Sequence, residues 1–398
     1  MKITSVEVKV LVWPPMNPPF WMSLLPVNRP HELIVLVHTD EGLTGIGHSD
    51  QASSVFSVGS DGKPRLAKAS RIVPDLLSPL LVGEDPANVE QLWQKMFAVT
   101  YRHHWNREGW SRSSMLSALA ATDMALWDLR GKAAGLPVFR LLGGTEAAVP
   151  MYVAGGYYRE GKGLNELADE SVQYREHGYK ALKMRVGGMS VEEDVARVAI
   201  VREALGPGVK LMLDANEAYD SNTAIQVAPL YEPYGIFWFE EPVAWYEGND
   251  GLKRVAQETG ISVAGGEQAA THWEAEAMAR ESGIAYMEFD CMRTGGPTEW
   301  LRVADACRRI GVAMAPHHGA HIHAHLISAA PNGLMVEAFP DPFMYDSAEQ
   351  LELVRWDRKR EMFSVHPEVR DGMMVMSESP GWGIELDPEV VGKREVLE

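Results

Sequence analysis

Cysteine is nearly absent from this chain of 398 residues. Cys291 and Cys307 are the only two, too few for a disulfide framework, so the expected compartment is the reducing cytoplasm. Long apolar runs are missing as well: nothing approaches the ~18 consecutive apolar residues of a membrane-spanning helix. At the N-terminus Ile3–Leu11 alternates apolar and polar residues, and Glu7 and Lys9 break any secretion-signal core, so this stretch reads as a strand. Positive charge is the third shortage. Lys plus Arg number 37 against 55 Asp plus Glu, a formal net charge of −18. A chain this acidic makes a poor general binder of nucleic acid or an anionic membrane, which needs a local excess of cations. What is present, 46% hydrophobic and 23% charged residues, is the composition of an ordinary globular protein. The length suits two or three domains, or one large barrel with additions.

Residues 1–140 read as an α+β unit. Ile3–Leu11 and Glu32–His38 are strand-like, and Asp40–Gly42 is a hairpin signal before Leu43–Gly47. Trp13–Pro30 contains six prolines and so cannot be helical. Ser53–Lys63, with Gly59 and Gly62, reads as a second loop; long loops of this kind often act as lids. Ser114–Arg130 carries Leu116, Leu119, Ala120, Met124 and Trp127 on one helical face and is followed by Gly131, with Asp123 and Asp128 as surface or capping groups.

From Val149 short apolar runs alternate with amphipathic helical stretches, the signature of parallel βα units. Eight strands are expected, at Met151–Ala154, Ala181–Arg185, Val209–Asp214, Ile236–Glu240, Val263–Glu267, Ala285–Asp290, Val312–Ala315 and Gly333–Glu337. Seven of them end in or near Lys183, Asp214, Glu240, Glu267, Asp290, His317 and Glu337, spaced by about 26 residues, one βα unit of a (β/α)8 barrel. In such a barrel these ends converge on the face that carries the chemistry.

Asp214, Glu240 and Glu267 come from successive strand ends. If they meet, three carboxylates need a cation among them, and oxygen-only ligation favours Mg2+ first and Mn2+ second. Spacing alone fits unconnected surface acids equally well. Glu241 should face the other side of its strand. Lys183 and Arg185 share one strand face, where Arg185 would depress the pKa of Lys183 toward a neutral amine. Asp290 can fix the tautomer of His317 and make its other nitrogen a base. Four further histidines follow, His318, His321, His323 and His325. Their spacing could suit zinc on a helix face, but the Glu of a His-Glu-x-x-His motif is absent, so one working histidine, His317, is expected, with the others packing or capping.

The segments Ala121–Gly143 (ATDMALWDLRGKAAGLPVFRLLG), Tyr179–Arg185 (YKALKMR), Leu213–Asn216 (LDAN), Phe239–Pro242 (FEEP), Gly266–Glu267, Asp290 with Thr294–Gly296, and Pro316–His317 occur in that order. Together they resemble the enolase superfamily, in its mandelate racemase and muconate lactonizing enzyme branch. The resemblance implies an α/β fold, a modified TIM (β/α)8-type barrel over residues 141–340. An α+β cap would be formed by residues 1–140 and a returning segment, 341–398. It implies Mg2+ held by Asp214, Glu240 and Glu267, and removal of the α-proton of a carboxylate substrate. Lys183 and Arg185 would stand at the family's Lys-x-Lys, Asp290 and His317 at its dyad, and Glu337 at the carboxylic acid that donates to the enolate. It also implies a homo-oligomer, dimer or octamer.

Arg185 departs from the racemase pattern, because arginine is a poor proton acceptor. With His317 as the remaining base, dehydration of an acid sugar is the expected reaction and isomerisation the alternative; a catalytically retired binding barrel is a more distant one. Asn216, Trp21 and Arg29 are the candidates to read the substrate, with Asn28, His31 and the stretch 103–107 as further possible walls.

Overall fold

The computed structural model describes residues 1–27, 30–49, 55–101, 108–345, 351 and 354–397. The N-terminal unit is an antiparallel sheet in the order β1 (Ile3–Val12), β2 (His31–Thr39), β3 (Thr44–Ser49). Against it packs α2 (Arg112–Ala134), and α1 (Val89–Thr100) packs in turn on α2. β3 lies so close to α2 that a Cβ on Gly47 would meet the carbonyl oxygen of Ala121 at 1.8 Å. The α2 helix outruns the expected Ser114–Arg130. Ser111 caps its start by accepting from Ser114 N–H, and Gly135, at φ 65°, ends it. Gly131 is not a stop but a contact point, since a Cβ there would meet Gly381 Cα at 2.7 Å.

The two N-terminal loops contain short hairpins. Phe20–Met22 pairs with Leu25–Pro26, and Phe56–Val58 pairs with Pro64–Leu66 across Gly59–Lys63. The second puts a short strand, Phe56–Val58, inside the stretch Ser53–Lys63 that the sequence reads as a loop.

Eight parallel strands follow: β4 (Ala148–Gly155), β5 (Ala181–Arg185), β6 (Lys210–Asp214), β7 (Ile236–Glu240), β8 (Val263–Gly265), β9 (Tyr286–Met287), β10 (Ala313–Met314) and β11 (Val336–Ala338). Neighbours pair in order, β11 returns to β4, and a parallel bridge Met314–Gly333 closes the ring. Seven helices connect them: α3 (Leu164–Glu176), α4 (Val191–Leu205), α5 (Ser221–Tyr231), α6 (Gly248–Glu258), α7 (His272–Glu281), α8 (Gly296–Ile310) and α9 (Ala320–Ala329). After β11 the chain leaves for the cap, and this is how the barrel is modified. Among the described residues no helix is long and apolar enough to cross a membrane.

The returning segment binds both units. Met373–Val375 adds antiparallel to β4, and Val396 N–H donates to the carbonyl of Val10 in β1. Asp123 and Asp128 make the corresponding ties from α2. Neither is a surface group, since they are 0% and 1% exposed; both cap other segments. Asp128 accepts from the N–H groups of Ile46 and Trp382. Asp123 accepts from Thr298 N–H and Oγ1–H, both at 2.8 Å, at the start of α8.

Burial pushes the Asp123 carboxyl up to about 8, although the Thr298 donors work against it. The folded protein therefore keeps a proton that the unfolded chain, with a carboxyl pKa near ~4, releases. The contribution of Asp123 to stability falls as pH rises from about 4 to about 8. Asp123→Asn, uncharged throughout, is expected to lose that slope. Urea midpoints of parent and variant should diverge between about pH 5 and pH 8; parallel pH profiles would show that the carboxyl is already ionised when folded.

Candidate active site

Alternation along the barrel strands stacks two layers. The floor is apolar: Tyr152, Ala181, Met212, Trp238, Ala264, Ala315 and Met335 form one buried cluster. Two residues further along five of these strands the same inward face carries Lys183, Asp214, Glu240, His317 and Glu337. Glu267 comes one position later than this rule gives, because Gly266 turns the chain at φ 115°. Lys183, Asp214, Glu240, Asp290 and Glu337 are fully buried, and Arg185, Glu267 and His317 nearly so.

Lys183 Nζ lies 2.5 Å from Glu240 Oε1, 3.0 Å from Glu337 Oε1 and 3.6 Å from Asp214 Oδ2. The other Glu240 oxygen accepts from Trp238 Nε1 at 3.0 Å, which ties it to the floor. Arg185 Nη1 pairs with Asp214 Oδ2 and donates to Asn216 Oδ1 at 3.3 Å, while Nη2 donates to the Tyr157 hydroxyl at 2.6 Å. Asn216, at φ 43°, returns its own N–H to Asp214 Oδ1 at 2.7 Å.

These contacts overturn two expectations about protonation. Burial by itself lowers the Lys183 pKa, but Glu240 and Glu337 outweigh it and hold the amine well above its ordinary value; the lowering by Arg185 is a lesser influence. Lys183 is thus an ammonium, not a neutral amine. Burial would raise Glu337, but Lys183, with the nearby histidines, holds it well below the usual carboxylate range. It is an ionised acceptor, taking the His318 N–H at 3.1 Å, rather than a carboxylic acid donor.

His317 Nδ1 is 3.0 Å from Asp290 Oδ2, and its Nε2 is 3.4 Å from Glu267 Oε2. Burial lowers its pKa, but Glu267, the Asp290 hydrogen bond and Glu337 together raise it to about 9. Each of the other histidines has its own contact. The His318 ring stacks on His317 at 3.6 Å, His321 Nε2 faces His48 Nε2 at 2.8 Å, and His323 Nδ1 donates to the His318 carbonyl while its Nε2 accepts from Cys291 N–H. His325 joins Phe139 N–H to the Trp382 carbonyl.

Among the described residues, the one group of ligand atoms that all lie within 4.8 Å of one another is His317, His318 and Glu337. Asp214 and Glu240 are drawn onto Arg185 and Lys183, and Glu267 is held by Gln268 Nε2 at 3.1 Å and by His317. The expected ligand trio is therefore brought to one barrel end without being closed on itself. Its donor chemistry, three buried carboxylates already drawing in two side-chain cations, fits a hard divalent ion.

One acid escaped the sequence reading. Glu288 stands two residues before Asp290, on the same face, and is fully buried; burial and the Glu240 charge push its carboxyl well up. The period-two rule that selected Lys183 and Arg185 would have found it. Glu241, expected on the far face, instead feels Glu267 and Glu217, which add to burial in raising its pKa. The strand ends at Glu240, and a φ of 37° at Glu241 turns the chain away from strand geometry.

Of the substrate candidates, Asn216 lies among these groups. Trp21 stacks on Tyr158, just past β4, with ring centroids 5.9 Å apart, and the same hairpin places Ser23 Oγ 2.8 Å from the Val186 carbonyl, just past β5. The hairpin thus reaches the mouth of the barrel. Arg29, Asn28 and residues 103–107 lie outside the described residues.

The chain is similar over most of its length to known enzymes. It is 31% identical over 357 residues, 89% of this chain and 88% of the relative, to the arabinonate dehydratase of Saccharolobus solfataricus. It is 30% identical to the 3,6-anhydro-alpha-L-galactonate cycloisomerase of Streptomyces coelicolor, covering 91% of each chain. A mandelate racemase/muconate lactonizing enzyme from a marine actinobacterium, solved in complex with magnesium, superposes with a TM-score of 0.82 at 28% identity over 100% of this chain and 99% of that one. Residues 5–143 match the mandelate racemase/muconate lactonizing enzyme N-terminal domain, and residues 166–390 match the enolase C-terminal domain-like family. The chain belongs to the mandelate racemase and muconate lactonizing enzyme branch of the enolase superfamily.

Proposed function

We propose that the protein is a magnesium-dependent dehydratase of acid sugars, turning an aldonate or aldarate into its 2-keto-3-deoxy product. One observation carries the reading: Arg185 is buried on Asp214, Asn216 and Tyr157, and Tyr157, Glu337 and Glu240 outweigh the effect of burial to hold its pKa above even its ordinary value. It takes no proton from substrate. His317, oriented by Asp290, is left as the single base, which suits elimination better than two-sided racemisation.

Asp214, Glu240 and Glu267 would hold the metal. When bound, magnesium supplies positive charge beside the substrate carboxylate, making the α-proton removable, and offsets the Glu267 charge that helps keep His317 protonated. His317 Nε2 accepts the α-proton as the C–H bond breaks, then returns it to the β-hydroxyl, which leaves as water. The resulting enol tautomerises to the keto acid. Lys183 and Arg185 stabilise negative charge, Glu337 holds Lys183 in place, and Asn216 with the Trp21 hairpin borders the substrate.

Incubation with a library of acid sugars, with chemical trapping of 2-keto acids, is expected to find a dehydrated product. Absence of turnover across a broad panel would count heavily against the proposal. Cycloisomerisation is the second reading, because one base also suffices for it and a cycloisomerase is among the relatives. It yields a product of unchanged mass, which NMR and mass spectrometry separate from loss of water.

A further inference from the structure

Arg355, in the segment that returns from the barrel to the cap, played no part in the reading of the sequence. Its guanidinium carbon lies 4.4 Å from the centroid of the Tyr157 ring and 4.2 Å from that of Phe339. Tyr157 follows β4 and Phe339 follows β11, so Arg355 stands over the C-terminal mouth of the barrel. It donates to the Tyr157 hydroxyl, the same oxygen that takes Arg185 Nη2. Among the described residues it forms no ion pair with any carboxylate.

This arrangement is costly for a protein alone. Two guanidiniums meeting at one phenol oxygen repel each other, and that oxygen cannot satisfy a five-donor fork. The two rings hold the planar cation in place, so little freedom is lost when an anion docks on its remaining N–H groups. A planar carboxylate is the shape that such a fork matches. Position selects which carboxylate. Arg185 turns Nη1 to Asp214 and Nη2 to Tyr157, so Arg355 lies beyond the end of Arg185 that faces away from the proposed metal ligand.

We propose that Arg355 forms a second anion subsite that binds the distal carboxylate of a dicarboxylic acid sugar. The inference rests on the proposed acid-sugar reading and narrows it to aldarate-type substrates. Tyr157 and Phe339 are positioning residues for this cation.

The test is a binding measurement that needs no turnover. Full-length protein loaded with magnesium is titrated by calorimetry with succinate, glutarate and adipate, and with butyrate, valerate and hexanoate of matched length. At least one diacid is expected to bind ten times or more tighter than its matched monoacid. In Arg355→Met, checked for folding by circular dichroism, that ratio should collapse toward one, and Arg355→Lys should restore part of it. Equal affinity for diacid and monoacid in the parent protein, or a preference that survives Arg355→Met, overturns the subsite. The dehydration reading fails separately: a diacid preference lost in Arg355→Met but with no 2-keto acid from any aldarate keeps the subsite and removes the reaction.

Discussion

Replacing His317 by asparagine is expected to lower turnover by about 10³-fold, within the range that a positioned general acid or base contributes. The amide has nearly the shape of the imidazole but accepts no proton at neutral pH, so both proposed duties of His317 are lost together. Magnesium binding should persist, because Asp214, Glu240 and Glu267 are untouched and Gln268 still holds Glu267 from its other side. The measurements are steady-state turnover on the substrate found in the library, exchange of the substrate α-proton in deuterated water, and magnesium calorimetry. Loss of exchange with retained metal binding supports the assignment, whereas unchanged kinetics would remove His317 from the mechanism.

Removal of divalent metal is expected to abolish substrate binding and not merely to slow the reaction. The proposed substrate is an anion and the protein carries a net charge of −18, so bulk electrostatics repel it. The two innermost cations cannot compensate, since Lys183 is engaged by Glu240 and Glu337, and Arg185 by Asp214. A divalent ion taken up by the carboxylates would restore a positive focus. Calorimetry on EDTA-treated protein should show at least a 100-fold loss of affinity for the substrate, recovered on adding magnesium. Circular dichroism should stay unchanged, because Lys183 and Arg185 still pair with Glu240 and Asp214, and Gln268 and His317 still hold Glu267. Undiminished binding in EDTA would place the anion elsewhere than at the trio of acids.

Much of this architecture is legible in the chain itself, since strand periodicity and turn residues are local. Ala181–Arg185 and Ile236–Glu240 are strands with the expected bounds. Gly311 ends α8 at φ 91°, a conformation that glycine takes most readily. The candidate ligands and the Asp290–His317 pair could be named because each lies at the end of an apolar run, where a barrel exposes its chemistry. Asp123 and Asp128 could not be placed, because a helical wheel shows a face but not what covers it. The sheet, α8 and the returning segment together bury α2 almost all round.

What the sequence by itself determined was the order of the elements, the inward face of each strand and the exclusion of Arg185 as a base, all consequences of near-neighbour spacing and intrinsic side-chain chemistry. Tertiary structure alone decided the protonation of Lys183 and Glu337, the turn that brings Glu241 toward Glu267, and the meeting of Arg355 with Arg185 at Tyr157. The physical reason is range. A pKa or an anion subsite depends on charges gathered within a few ångströms from residues far apart in the chain, and only closure of the barrel and return of the C-terminal segment bring them there.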